Sequence, residues 1–311
     1  MEGAADLELR QEQDALRQAL GRVGVWTNAL GALPAGEERE AAAEIESLGF
    51  GALWFGEGLE AREAFSHAAW LLGSTERAVI ATGIANVWAR DPVAMANGWR
   101  MLTDAHPDRF LLGLGVSHAQ VVARRGGSYA QPVAAMRAYL AAMDHAGSTA
   151  PEPEAYPRRV LAALGPKMLG LAAETTLGAH PYFVPVEHTA FARRRLGSGP
   201  VLAVEQTAVI SSDPSEARAV ARRFAGWYLR APSYANNLKR MGWTDADVSG
   251  QGSDAMIDAV VAWGDVDRIA VRVRQHLEAG ADHVCVQVVG ADPGDPGLDD
   301  LRELAPALLE R

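Results

Sequence analysis

Apolar residues along this chain fall into short unbroken runs, each followed by a longer stretch that is apolar on one side only. The clearest run is Arg109–His118, RFLLGLGVSH, where Phe110 to Leu114 carry no alternation before polarity switches at Ser117 and His118. An unalternating run of strand length fits a strand covered on both faces. The same pattern predicts strands at Arg22–Trp26, Gly51–Phe55, Ala78–Ile84, Arg109–His118, Arg159–Leu164, Ala179–Val184, Val201–Ile210 and His283–Val289. Between them the apolar spacing turns helical, as in Glu37–Leu48, Arg62–Leu72, Gln131–His145, Glu187–Leu196 and Asp265–Ala279, and Leu298–Leu309 closes the chain. Asp91-Pro92 and Asp213-Pro214 each set a capping carboxylate before a first-turn proline, a strong helix start.

Eight strand-then-helix units are what a closed (β/α)8 TIM barrel requires, here a single α/β domain with insertions. Leu7–Leu20 reads as a helix ahead of it, so residues 1–21 are predicted as an N-terminal helical extension and 22–311 as the barrel. From about 227 to 253 the rhythm breaks at Pro232, two asparagines and several glycines, which predicts an insertion. A doubly wound sheet is the main alternative, but its Gly-x-Gly-x-x-Gly turn is missing, since the first strand leads into WTNALG.

Composition changes this picture in few places. The chain has 311 residues, room for one barrel with insertions. A formal charge of −10 argues against a nucleic-acid partner, whose binding rests on neutralising phosphates. No apolar run approaches the roughly 18 residues of a membrane span, and the first twenty residues lack the pattern of a signal peptide. The expectation is a cytoplasmic protein with no membrane partner. Cys285, the single cysteine, excludes an internal disulfide framework and sits in a run (VCVQVV) that predicts a buried core position.

In a barrel, chemistry gathers at the carboxyl ends of the strands. Those ends read Trp26 to Asn28, Glu57, Gly83 to Asn86, Ser117 and His118, Leu164 to Lys167, and Tyr182 to His188. They hold no His-x-x-x-His spacing and no paired carboxylates, so no metal site is expected. Nor is there a Gly-x-Ser-x-Gly elbow. Gly165-Pro166-Lys167 places a glycine turn at a helix start, where free N–H groups and the positive helix end attract anions. Val184 to Thr189 is a second such turn. Together they point to a phosphorylated cofactor, with ordinary strand-to-helix connections as the alternative.

WFGE after the second strand, ATGIANVWARDP after the third, RFLLGLGVSH, LAALGPKML, HPYFVPVEHT and GADHVCVQV all resemble segments of the bacterial-luciferase-like flavin and deazaflavin oxidoreductases. They occur in family order from about Arg22 to Val289. ATGIANVWARDP and LGAHPYFVPVEHT resemble most the actinobacterial group that uses the 8-hydroxy-5-deazaflavin coenzyme F420 rather than FMN. The resemblance implies a hydride-transferring oxidoreductase with an organic substrate that the sequence does not identify. It implies a bulge, often with a non-prolyl cis peptide, at Gly83-Ile84 behind the coenzyme ring, with Asn86 at the ring's polar edge. It also implies phosphate binding at Leu164, Gly165 and Pro166, a supporting wall from Val184 and Pro185, and a homodimer by analogy. His180 and His188 flank this phosphate side, and His188 is taken as a cofactor contact.

Two departures from the family pattern bear on chemistry. Relatives that use the deazaflavin usually carry Asp-His after strand two; here the pair is Glu57-Gly58, so that base is absent. Some relatives carry a glutamate after strand four where this chain has His118. A histidine there titrates near neutral pH and is the leading candidate for proton donor or acceptor. Glu57 is the second, as ring anchor or proton relay, with an ion-paired structural role as its alternative. An FMN-dependent monooxygenase and a non-catalytic cofactor-binding relative remain the rival functions. The run Arg193–Arg195 is either a solvated face or an attraction for the coenzyme's oligoglutamate tail. Trp26, Trp54 and Trp88 read as core or pocket wall, and His67, His106, His145 and His276 as structural.

Overall fold

The computed structural model describes residues 2–154 and 156–309. Ten strands run through it: β1 (Val23–Trp26), β2 (Ala52–Phe55), β3 (Val79–Thr82), β4 (Ala85–Asn86), β5 (Phe110–Gly115), β6 (Arg159–Leu161), β7 (Gly178–Ala179), β8 (Val201–Ile210), β9 (Val261–Gly264) and β10 (His283–Val288). All pairings are parallel, and the sheet closes because β10 pairs with both β8 and β1. The expected eight-stranded α/β barrel is the fold observed.

Alternation along each strand sorts side chains into two apolar layers. Val25, Leu53, Phe55, Ile80, Leu112 and Leu114 face outward into one cluster under the ring of helices. Trp26, Trp54, Ala81, Leu111, Val160, Ala203 and Cys285 belong to a second cluster that fills the barrel. Burial on both faces explains the unalternating apolar runs. Several polar groups inside the barrel pair with one another, while Trp26 Nε1 and His180 Nε2, beside Gly83, have no protein partner among the described residues. Trp54 Nε1 donates to His283 Nε2 (3.1 Å), and His283 Nδ1 donates to the Gly21 carbonyl (2.9 Å). His180 stacks on Trp54 at 4.5 Å, and its Nδ1 donates to the Ala203 carbonyl (2.9 Å). Burial pushes both histidines down to about 4, so both are neutral.

The first helix, Glu2–Leu20, lies across the amino-terminal end of the barrel. Leu16 and Leu20 are fully buried, Arg17 bonds Asp282 and Ser198, and Arg158 bonds Glu12. Each of those partners precedes a strand. This closes the end opposite the candidate chemistry.

Three elements depart from expectation. Strand three stops at Thr82 and resumes at Ala85. Ala81 pairs with Leu111 and Ala85 with Leu114, so four steps face three and one residue is extra. Strand six is only Gly178–Ala179; from there Pro181 lacks an N–H to pair, and Phe183 adopts φ +54° with its N–H donated to Glu205 (3.0 Å). β9 is an added strand beside the outer half of β8, Thr207 pairing with Val261. Helices Pro214–Leu229, Pro232–Arg240, Asp245–Val248 and Asp254–Val260 occupy the connection between β8 and β9. Among the described residues no helix is long and apolar enough to cross a membrane.

Candidate active site

One cavity of about 820 Å³ opens at the carboxyl ends of the strands. Its floor is the bulge. The Gly83-Ile84 peptide is cis, as the family resemblance implied, and both residues line the cavity. A Cβ on Gly83 would lie 2.4 Å from Trp26 Nε1 and 2.9 Å from His180 Nε2, so only glycine fits there without displacing them. A Cβ on Gly115 would likewise meet the Ile84 side chain. Trp26 and His180 therefore contribute to the cavity wall, while Trp54 is barrel core.

Glu57 sits at the edge of this floor with its carboxylate 4% exposed. Oε2 accepts from Asn86 N (2.8 Å) and Arg90 Nη1 (3.0 Å), and Oε1 accepts from Ala64 N (3.3 Å) and Arg90 Nη2. The carboxylate ties the end of β4 to the loop after β2 and holds the bulge. Asn86 is buried with its side chain turned to Trp88 N (3.0 Å), so it does not line the cavity at the ring edge.

His118 follows β5 and reaches the cavity. Its Nδ1 lies 3.0 Å from Ser233 Oγ, and its ring packs against Trp227 (5.4 Å) and Tyr234 (5.2 Å). Partial burial lowers its pKa below the ordinary value of 6.5.

Across the cavity, Gly165 begins the helix Pro166–Thr175, and no side chain caps that end. Leu164, Gly165, Pro166 and Lys167 all line the cavity. Arg240 Nη2 stands 3.9 Å from where a Cβ on Gly165 would be, adding a second cation beside Lys167. His188 does not line the cavity; it is fully buried, with Nε2 donating to the Leu164 carbonyl (2.9 Å). It therefore holds the turn from behind, kept neutral by burial that pushes it down to about 4. Val184 and Pro185 also lie buried beneath the wall rather than in it, because the chain has already left the sheet at Pro181.

Of the two readings of Arg193–Arg195, the structure favours the solvated face, with Arg194 and Arg195 exposed, over an attraction for the coenzyme's tail. Helix Val186–Leu196 runs away from the rim, and its arginines fall in the last turn, about 10–14 Å along the axis. Arg193 bonds Gly280 O (2.9 Å), Pro200 O (2.8 Å) and Asp282 (2.6 Å) at the opposite end of the barrel.

With this geometry in view, comparison with known proteins is decisive at the level of family. The family model described as luciferase-like monooxygenase matches residues 18–283. The chain belongs to that family. A Mycobacterium tuberculosis relative, named provisionally as a coenzyme F420-dependent oxidoreductase, is 27% identical over 87% of this chain and 95% of its own. Among solved structures, an F420-dependent secondary alcohol dehydrogenase in complex with an F420-acetone adduct superposes with TM-score 0.73 at 16% identity, covering 92% of this chain and 98% of its own. The FMN complex of a type II Baeyer-Villiger monooxygenase from Pseudomonas putida gives 0.65 at 16%, covering 92% and 98%. At such identities the structural likeness is one of fold. This luciferase-like chain is accordingly an enzyme of the oxidoreductase and monooxygenase group.

Within this luciferase-like barrel the β8–β9 connection supplies what the sequence did not disclose. Trp227, Tyr228, Ser233, Tyr234 and Arg240 all line the cavity. Tyr182 Oη donates to Gln287 Oε1 (2.6 Å) and so accepts from Tyr228 Oη (2.8 Å), which fixes both rings as wall. The available signal was a segment dense in aromatic residues where a solvated insertion would be polar.

Proposed function

We propose that this protein moves a hydride between coenzyme F420 and an uncharged organic substrate bearing a hydroxyl or carbonyl group, with His118 handling the proton. The observation that carries this reading is that Gly83-Ile84, His118 and the Gly165 turn, distant in sequence, meet in one cavity. The residues fit such a coenzyme. The volume is ample for a fused-ring ligand, the floor is kept free of side chain at Gly83, and Gly165 to Lys167 with Arg240 suit an anionic group. When bound, the deazaflavin supplies hydride chemistry at its C5. The protein binds the anionic group at the Gly165 turn, holds the floor through Glu57 and Arg90, and excludes water with the aromatic wall. His118 Nε2 takes the hydroxyl proton in oxidation and returns it in reduction. Glu57 serves better as a positioning residue than as a relay, since Arg90, Asn86 N and Ala64 N already engage its oxygens. Substrate charge is disfavoured near His118, where Trp227, Tyr228 and Tyr234 form the wall.

His118→Ala tests this reading. Turnover should fall by at least about a hundredfold while coenzyme affinity changes little. Undiminished turnover would remove His118 from the reaction, and steady oxygen uptake with bound FMN would favour a monooxygenase instead.

A further inference from the structure

We infer that Ser233, carried on the β8–β9 connection rather than on the barrel, is a positioning residue that fixes His118 in the tautomer able to accept a substrate proton. The inference rests on the proton role given to His118 above. The Ser233 hydroxyl lies 3.0 Å from His118 Nδ1. Trp227 meets the imidazole edge-on, with ring planes at 76°, and Tyr234 packs against it at 5.2 Å. These contacts leave Nε2 as the ring nitrogen free to meet a ligand. Which nitrogen of a neutral imidazole carries the proton is set by the bond that the other one makes. When Ser233 Oγ accepts from Nδ1–H, Nε2 is a bare acceptor facing the substrate.

The step then balances. An alcohol gives its hydroxyl proton to Nε2 and its carbinol hydride to the oxidised deazaflavin. The C–H and O–H bonds break, the C=O double bond forms, and the alcohol is oxidised as the coenzyme is reduced. The imidazolium left behind keeps its Nδ1–H on Ser233, and that bond is strengthened by the charge. Reduction of the carbonyl is the same step reversed. The groups facing the ring are Ser233 and Tyr234 on one helix and Trp227 on another. The charged pair Arg124 and Glu60 stands at the cavity mouth, Arg124 on the helix that His118 precedes. Among the described residues the hydrogen-bonding group on the His118 ring is the Ser233 hydroxyl, at Nδ1.

Nitrogen-15 NMR of histidine-labelled protein tests this without coenzyme, using His118→Gln to assign the signal. The parent should show the Nδ1–H form. Ser233→Ala should turn the signal toward the opposite tautomer and lower the imidazole pKa by up to about one unit, because the bond favours the charged ring. Turnover should drop roughly tenfold with KM nearly constant, and the acid limb of its pH profile should move with the NMR value. Ser233→Thr should restore both. A parent signal in the Nε2–H form, or a Ser233→Ala signal identical to the parent's, would overturn the inference and leave the role of His118 standing. If instead the signal shifts as expected while His118→Ala turns over normally, the hold of Ser233 on the ring is upheld and the proton role is what fails.

Discussion

Gly83→Ala probes the cavity floor directly. The added methyl would come within 2.4 Å of Trp26 Nε1 and 2.9 Å of His180 Nε2, against the roughly 3.5 Å at which such atoms rest. Trp26 cannot retreat freely, because it is 3% exposed and packs on Tyr182 at 5.0 Å. His180 is held by its stack on Trp54 and its bond to Ala203 O. Forced shifts of about 1 Å in a filled core cost about 1–3 kcal/mol. With an unfolding entropy of about 2.1 cal/mol/K per residue over 311 residues, that lowers Tm by roughly 2–5 °C. The displaced rings intrude on the cavity, so coenzyme affinity should fall about tenfold or more. Thermal melts and fluorescence titration measure the two effects. Trp26→Phe removes the crowded nitrogen, and in that background Gly83→Ala should cost less. Equal losses in both backgrounds, or unchanged Tm and affinity, would refute the packing argument.

Arg90→Met leaves the Glu57 carboxylate buried without its cation, and urea unfolding should show a loss of about 3–5 kcal/mol. Glu57→Gln should reduce turnover by disturbing the bulge yet leave the shape of the pH profile intact; a lost limb would restore Glu57 as a proton carrier. Stability should also fall as pH drops from 6.5 toward 4. His180, His188 and His283, at about 4, and His276, at about 3, stay neutral when folded but protonate when unfolded, so unfolding takes up protons in that window. Glu205, raised to about 7 by burial, is protonated when folded and releases one proton on unfolding above pH 4.5, which offsets only part of the uptake. Urea midpoints that stay flat between pH 4.5 and 6.5 would contradict these burials.

The barrel was legible because strands covered on both faces leave short unalternating apolar runs, and here such runs alternate regularly with helix-periodic stretches. Candidate residues that the same pattern puts at strand ends, Gly83, Ile84, His118 and the turn from Leu164 to Pro166, line the cavity. Position along the chain does not reveal which way a side chain turns. Asn86 and His188 stand at the expected places but spend their polar groups on Trp88 N and Leu164 O. Val184 and Pro185 were misplaced because strand six ends early, at a left-handed Phe183 that a neighbouring strand's Glu205 supports. Ser233 and Arg240 were hidden, and Tyr234 was signalled only by the aromatic density of its segment, since the path of the β8–β9 connection over the rim depends on contacts far apart in sequence.

The central claim is that these segments form one binding site for a deazaflavin anchored by its anionic end. Fluorescence titration of the purified protein with coenzyme F420, with FMN run in parallel, tests it most directly. The account predicts saturable binding with preference for F420, weakened at least about tenfold by Gly165→Asp, whose added charge and bulk oppose an anion at that helix start. Absence of F420 binding, or an affinity that Gly165→Asp leaves unchanged, would contradict it.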